Sequence, residues 1–193
     1  MITYDKLQKT LESKGYRFFT GDLNINLIGI RNSNELTNEF DDFLCVAIEE
    51  NGKKTLYVFN DFTTDPGFYY LKKKFLNPKG CAIMKPGQYG GMLTFGKHRG
   101  KYDALVQVGK CTVYRDRTKD NKIDFDTEQT GVFGINIHHA YDREEINKYS
   151  AGCQVHQSQS KLDKVLELCE KSAKKYGDKF TYTLIELKDL CND

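Results

Sequence analysis

The chain has 193 residues, of which 39% are hydrophobic, and that is enough apolar material to enclose a core and to exclude a disordered chain. Its 29 basic and 27 acidic residues leave a net charge of +2, with no concentrated basic patch, so nucleic acid is excluded as the expected partner. No stretch approaches the roughly 20 apolar residues that span a bilayer, and Met1-Ile2-Thr3-Tyr4-Asp5-Lys6 lacks the pattern of a secretory leader. The expectation is cytoplasmic synthesis without a signal peptide and no membrane span.

In chain order, Thr3 to Lys14 reads as a helix: Thr3 caps it, Tyr4, Leu7 and Leu11 share a face, and Gly15 ends it. Strand-like runs follow at Asn24 to Ile30, Phe43 to Ile48, Thr55 to Phe59, Cys81 to Met84, Met92 to Phe95 and Ala104 to Val108. Turn residues separate them, and Asn51-Gly52 is the clearest hairpin signal. Lys72-Lys73-Lys74 reads as a solvated edge or turn. The segment Asp116 to Gly131 reads as irregular, and Val132 to His138 as a further strand. Ser160 to about Tyr176 has a helical stripe of Leu162, Val165, Leu166 and Cys169, with Ser158 or Ser160 as its cap and Gly177 as its end. Phe180 to Glu186 alternates as a last strand. The fold class expected is α+β, a β-rich core flanked by N-terminal and C-terminal helices.

Six cysteines are scattered with no CxxC pair, so a zinc ribbon or a dithiol redox motif is not expected, and the default is six free thiols. Cys153 stands apart. The strand-like Gly134-Ile135-Asn136-Ile137 ends in His138-His139, a loop follows, and Ser150-Ala151-Gly152 then presents Cys153. A histidine near a thiol can take its proton and return it to a leaving amine. Small residues before the cysteine let the chain turn tightly and leave main-chain N–H groups, at Gly152 and Cys153, open to an oxyanion. An activated Cys153 is expected to alkylate well below pH 8 and ahead of the other thiols. By spacing alone, the same residues also fit a cysteine packed beside a glycine and a histidine pair at a strand end.

Ile137-His138, followed after a loop by Ser150-Ala151-Gly152-Cys153-Gln154-Val155, resembles the catalytic motif of L,D-transpeptidases of the YkuD type. Two positions depart from that motif: His139 stands where glycine is usual, and Ala151 where histidine is usual. The resemblance implies a single domain over 1–193 with a YkuD-like sandwich or barrel. Its parts would be an N-terminal helix at 1–15, a β-rich catalytic core at 16–155, and a C-terminal helix and strand at 156–193. It implies Cys153 as nucleophile, His138 as base, and Gly152 and Ser150 as parts of the catalytic turn. The reaction implied is cysteine-dependent acyl transfer on peptidoglycan stem peptides, by transpeptidation or by hydrolysis, with no cofactor required. The wider chain resembles an uncharacterised group found in bacteriophage and some bacterial genomes. That likeness is carried by Asn24 to Arg31, Thr63-Thr64-Asp65-Pro66-Gly67, Lys85-Pro86-Gly87-Gln88-Tyr89, Gly96 to Tyr102 and the His138 to Cys153 block. It implies phage-associated cell-wall processing, with virion proteins as further partners and delivery in a virion or at lysis. The alternatives are a virion structural or binding module that keeps the fold without chemistry, and a Cys/His protease acting on protein.

Further candidates are substrate-binding residues: His139, Tyr89 beside Gln88, His98, and Arg115 as a bidentate holder of a substrate carboxylate. His98 also reads as an exposed loop histidine and Tyr89 as a turn residue, and His156 is a second possible base. Asp116-Arg117-Thr118-Lys119-Asp120-Asn121-Lys122-Ile123-Asp124 spaces oxygen donors at Asp116, Thr118, Asp120 and Asp124 like the start of a calcium loop. No glutamate stands at the twelfth position, and Lys119 and Lys122 dilute the charge, so an acidic surface loop is the competing reading.

Overall fold

The computed structural model describes residues 1–32, 37–120, 125 and 127–190. The first helix, α1, spans Tyr4–Ser13, and the Thr3 hydroxyl accepts the Lys6 amide at 3.2 Å. Gly15, at φ +73°, closes it: the Gly15 amide bonds Glu12 O and the Tyr16 amide bonds Leu11 O. That pairing needs a left-handed residue, which glycine supplies without Cβ strain. The strands are β1 (Asn26–Arg31), β2 (Asp42–Glu50), β3 (Lys53–Thr63), β4 (Cys81–Met84), β5 (Gly87–His98) and β6 (Tyr102–Gln107). After them come β7 (Cys111–Asp116), β8 (Glu128–Gly131), β9 (Ile137–His139), β10 (Gln154–His156), helix α2 (Gln159–Tyr176) and β11 (Phe180–Glu186).

Eight strands close into a barrel in the order β1-β11-β5-β6-β9-β10-β3-β2, and β4-β7-β8 form a separate three-stranded sheet. Two ladders of the barrel are parallel, β1 with β11 and β9 with β10. The α+β class with terminal helices is thus observed, and β11, from the C-terminal segment, supplies the strand between β1 and β5. No helix among the described residues is long and apolar enough to cross a membrane.

Alternation places the core. Leu27, Leu44, Val46, Leu184 and Tyr182 join Leu162, Val165 and Cys169 of α2 and Ala82, Met84 and Val113 of the small sheet in one cluster. Neighbours of opposite parity, Ile28, Ile30, Cys45, Ala47 and Ile185, turn outward and are covered by Tyr4, Leu7 and Leu11 of α1. This explains why β1 is buried along its whole length. Each such side chain contributes roughly 1.5–3 kcal/mol when fully buried. The β2–β3 hairpin turns at Asn51 and Gly52, φ +52° and +77°, as the dipeptide predicts.

Three expectations change. The ladder expected over Val132 to His138 is confined to Ile137–His139, and β7 and β8 occupy ground read as plain or irregular chain. Neither Ser158 nor Ser160 caps α2 by its side chain; Ser158 stands at the cap position, but its hydroxyl bonds that of Ser160 at 3.3 Å. Tyr89 is not a turn residue, because β5 already begins at Gly87.

Candidate functional site

Cys153 immediately precedes β10, and the register aligns Val155 with His138 and Gln154 with Ile137. Side chains alternate along a strand, so Cys153 shares a face with Val155 and His138, diagonally across two parallel strands. Gln154 points the other way, into the core, where its amide oxygen accepts the Tyr182 hydroxyl at 2.8 Å. Gly29 makes that contact possible, since a Cβ there would collide with the Tyr182 ring.

The turn before the sulfur is tightly specified. Gly152 holds φ +121°, and a Cβ on it would meet the Ala82 carbonyl oxygen at 2.5 Å. Ser150 Oγ accepts the Gly152 amide at 3.2 Å and donates to the Cys153 carbonyl at 2.9 Å. This corrects one expectation: the Gly152 N–H is already taken by Ser150 and is not an open oxyanion donor. Ser150 is instead the residue that fixes the turn.

Of the five described cysteines, Cys45, Cys81, Cys111 and Cys169 are buried, whereas Cys153 is partly exposed and lines a cleft of about 460 Å³. His98, Arg99, Arg115, Asn136 and Tyr149 are also in its wall. The thiol donates to the Gly134 carbonyl at 3.5 Å. Burial pushes its pKa above the ordinary value, against the opposing main chain of Asn136 and the charge of Arg99. The resting group is therefore a thiol, and the expected alkylation well below pH 8 does not fit this environment.

The two nearby imidazoles have opposite proton inventories. His138 Nδ1 lies 3.0 Å from the His139 carbonyl oxygen, which can only accept, so that nitrogen carries the proton. Its Nδ1 is also 3.2 Å from the Tyr102 hydroxyl. Nε2 is then a bare lone pair, buried and without a hydrogen-bond partner. His98 is the converse. Asn136 Oδ1 accepts the Gln107 amide at 3.0 Å, which turns Asn136 Nδ2 toward His98 Nδ1 at 3.2 Å. His98 Nδ1 accepts, and Nε2 carries the proton. Burial lowers the His138 pKa to about 3, aided by His98, and lowers that of His98 to about 4, aided by Arg99. Both rings are neutral at neutral pH.

Gln107 organises the opposite wall. Its Oε1 accepts the amides of Phe133 and Ile135, each at 2.9 Å, and its Nε2 donates to the Gly109 and Gly131 carbonyls. These bonds replace the ladder expected from Val132 onward and present the Gly134 carbonyl to the thiol. Neither Gln107 nor Asn136 carries any signal in the sequence beyond its place near a strand end.

No family model, curated protein or solved structure matches this chain.

The remaining candidates disperse. Arg115 lies in the cleft wall with its face on Phe133, 4.8 Å from the ring centre. His98 is not the exposed loop histidine of the competing reading: it ends β5 opposite Tyr102 and is buried. His139 packs against Tyr102 and Tyr141, its Nδ1 accepts the Tyr141 amide, and it is not in the wall of the Cys153 cleft. Tyr89 is a β5 residue paired with Tyr182, its hydroxyl donating to Lys85 O at 2.6 Å, and it too is outside that wall. His156 is sealed between Phe59 and Phe62, 3.6 Å from Asp61. In the calcium-like loop, Asp116 Oδ1 accepts the amide and hydroxyl of Thr118, both at 3.0 Å, while Asp124 lies outside the described residues. Among the described residues, no group of three or more His, Cys, Asp or Glu is arranged to hold a metal.

Proposed function

We propose that the chain is a cysteine acyl-transfer enzyme acting on peptides, of the L,D-transpeptidase type, with peptidoglycan stem peptides as substrates. The observation that carries this reading is a reachable thiol, Cys153, in a cleft walled by His98, with His138 stacked on that ring and holding an unpartnered Nε2 lone pair.

The chemistry balances with these groups alone. The Cys153 proton passes to His138 Nε2 as sulfur bonds the amide carbon. His98, fixed as the Nε2–H tautomer, donates to the oxyanion in place of the occupied Gly152 amide. Collapse breaks the C–N bond, and the His138 imidazolium returns the proton to the leaving amine. Water or a second amine then attacks the thioester, with His138 taking the proton of the incoming group; collapse breaks the C–S bond, and the imidazolium returns that proton to the Cys153 sulfur. Because the resting sulfur is protonated, transfer to His138 accompanies attack and no stored thiolate is required. The YkuD-like identity of the barrel, processing in a phage context and delivery in a virion or at lysis belong to the same proposal.

One observation favours a second reading, a virion structural or binding module without chemistry: the thiol bonds a main-chain carbonyl and not an imidazole. Incubation with defined muropeptides separates the two. Product release by the wild type and its loss in Cys153→Ala support the enzyme; identical product profiles from both proteins remove it.

A further inference from the structure

The molecule has two buried arginines with different surroundings. Arg31 is 3.0 Å from Asp65, and its Nε, Nη1 and Nη2 donate to Thr64 and Met84 oxygens. The Arg31 charge also reaches the Asp42 carboxyl, where it opposes the effect of burial. That is the ordinary arrangement of a buried cation, compensated by nearby carboxylates.

Arg115 is 4% exposed and has no carboxylate partner among the described residues. Its contacts are neutral: Nε donates to Gln129 Oε1 at 2.9 Å, Nη1 donates to Gly80 O at 3.3 Å, and its face lies on Phe133. Gln129 and Phe133 hold the guanidinium in one plane. Among the described residues Nη2 makes no hydrogen bond, yet it is not sealed from solvent. The solvent it meets is the Cys153 cleft, whose described wall contains no aspartate or glutamate and gains a second cation from Arg99. A desolvated, oriented guanidinium without a counter-charge is costly unless an anion completes it, and its planar fork suits a carboxylate.

We propose that Arg115 is the anchor for a free carboxylate on the acyl-donor peptide, held in the same cleft as the Cys153 sulfur. The site thereby selects peptides with an ionised carboxylate near the scissile amide. This deepens the acyl-transfer reading and rests on it for the word donor, whereas the anion site itself stands on the Arg115 geometry.

The test needs no turnover. Cys153 in the native protein is alkylated with iodoacetamide, and its modification is followed by peptide mass spectrometry in the presence of N-acetylalanine or of N-acetylalaninamide. The carboxylate should slow Cys153 modification about tenfold more than the amide at equal concentration, the scale of one charge-assisted hydrogen bond. Arg115→Gln, checked for a native thermal transition, should remove that difference, and Arg115→Lys should keep part of it. Equal protection by the two compounds in the wild type overturns the proposal, with no variant needed. So does a carboxylate preference that survives in folded Arg115→Gln. Carboxylate-selective protection without any muropeptide turnover would support the anion site and remove the enzyme reading, so the two fail separately.

Discussion

The imidazole of His98 stacks on that of His138, with ring centres 3.9 Å apart and planes 21° from parallel. Two cations could not share that contact, and burial already keeps both rings neutral. Their folded pKa values, about 4 and about 3, lie below the unfolded value near 6.5. Between those limits the unfolded chain binds more protons, so stability is present at neutral pH and is lost as pH falls from about 6.5 toward 4. Replacing His138 by Gln should reduce this acid loss by on the order of 2 kcal/mol between pH 7 and pH 4.5. Denaturant unfolding at the two pH values measures it, and equal acid losses in both proteins would contradict it. Asp42, raised to about 7 by burial and by Asp65, acts in the opposite sense and is common to both proteins.

The division of labour between the rings predicts separate kinetic effects. His98→Phe keeps an aromatic ring for the stack but removes the Nε2 donor, and should lower kcat by about 10²–10³ with little change in KM, the usual loss for one oxyanion donor. A fall confined to KM would show that His98 only lines the cleft.

Cys153 should be the first of the described thiols to alkylate in the folded protein, because the other four are buried. Burial also raises Cys45 and Cys81 to about 12 and Cys111 to about 11. The Cys153 rate should still be climbing above pH 9, since its own thiol is raised above that ordinary value. A plateau below pH 8 would show a stored thiolate and a different activation of the sulfur.

The nucleophile's position depends on contacts behind it. Tyr182→Phe leaves the buried Gln154 oxygen without its donor and should cost about 1–3 kcal/mol of stability. Gly152→Ala forces a Cβ onto the Ala82 carbonyl at an unfavourable φ, and should cost at least about 2 kcal/mol. Thermal and denaturant unfolding read both; wild-type stability in Gly152→Ala would mean that the turn at Ser150 relaxes.

Local signals in the sequence were strong wherever one residue type controls the backbone. Thr3, Gly15, Asn51-Gly52 and Gly177 mark their elements correctly, and the spans of β4 and β11 match the apolar patterns that announced them. Elements whose bonding depends on distant side chains were illegible. Val132 to Asn136 has a strand-like pattern, but the amides of Phe133 and Ile135 go to the side chain of Gln107, far off in sequence. In β7, Arg115 and Asp116 disguise a buried strand as polar chain. The thiol and His138 were readable as a spaced pair, while the His98–Asn136 bond joins the end of β5 to the residue before β9 and leaves no local trace.

The central claim is that Cys153 carries the acyl group with His138 as its base. Intact-protein mass spectrometry after rapid mixing with a defined muropeptide tests it most directly. The account predicts a covalent adduct with the mass of the acyl fragment, mapping to Cys153, absent in Cys153→Ala, and formed at least about 10²-fold more slowly in His138→Gln. A protein that releases product with no adduct on Cys153 at any time, or forms it at the wild-type rate without His138, would contradict it.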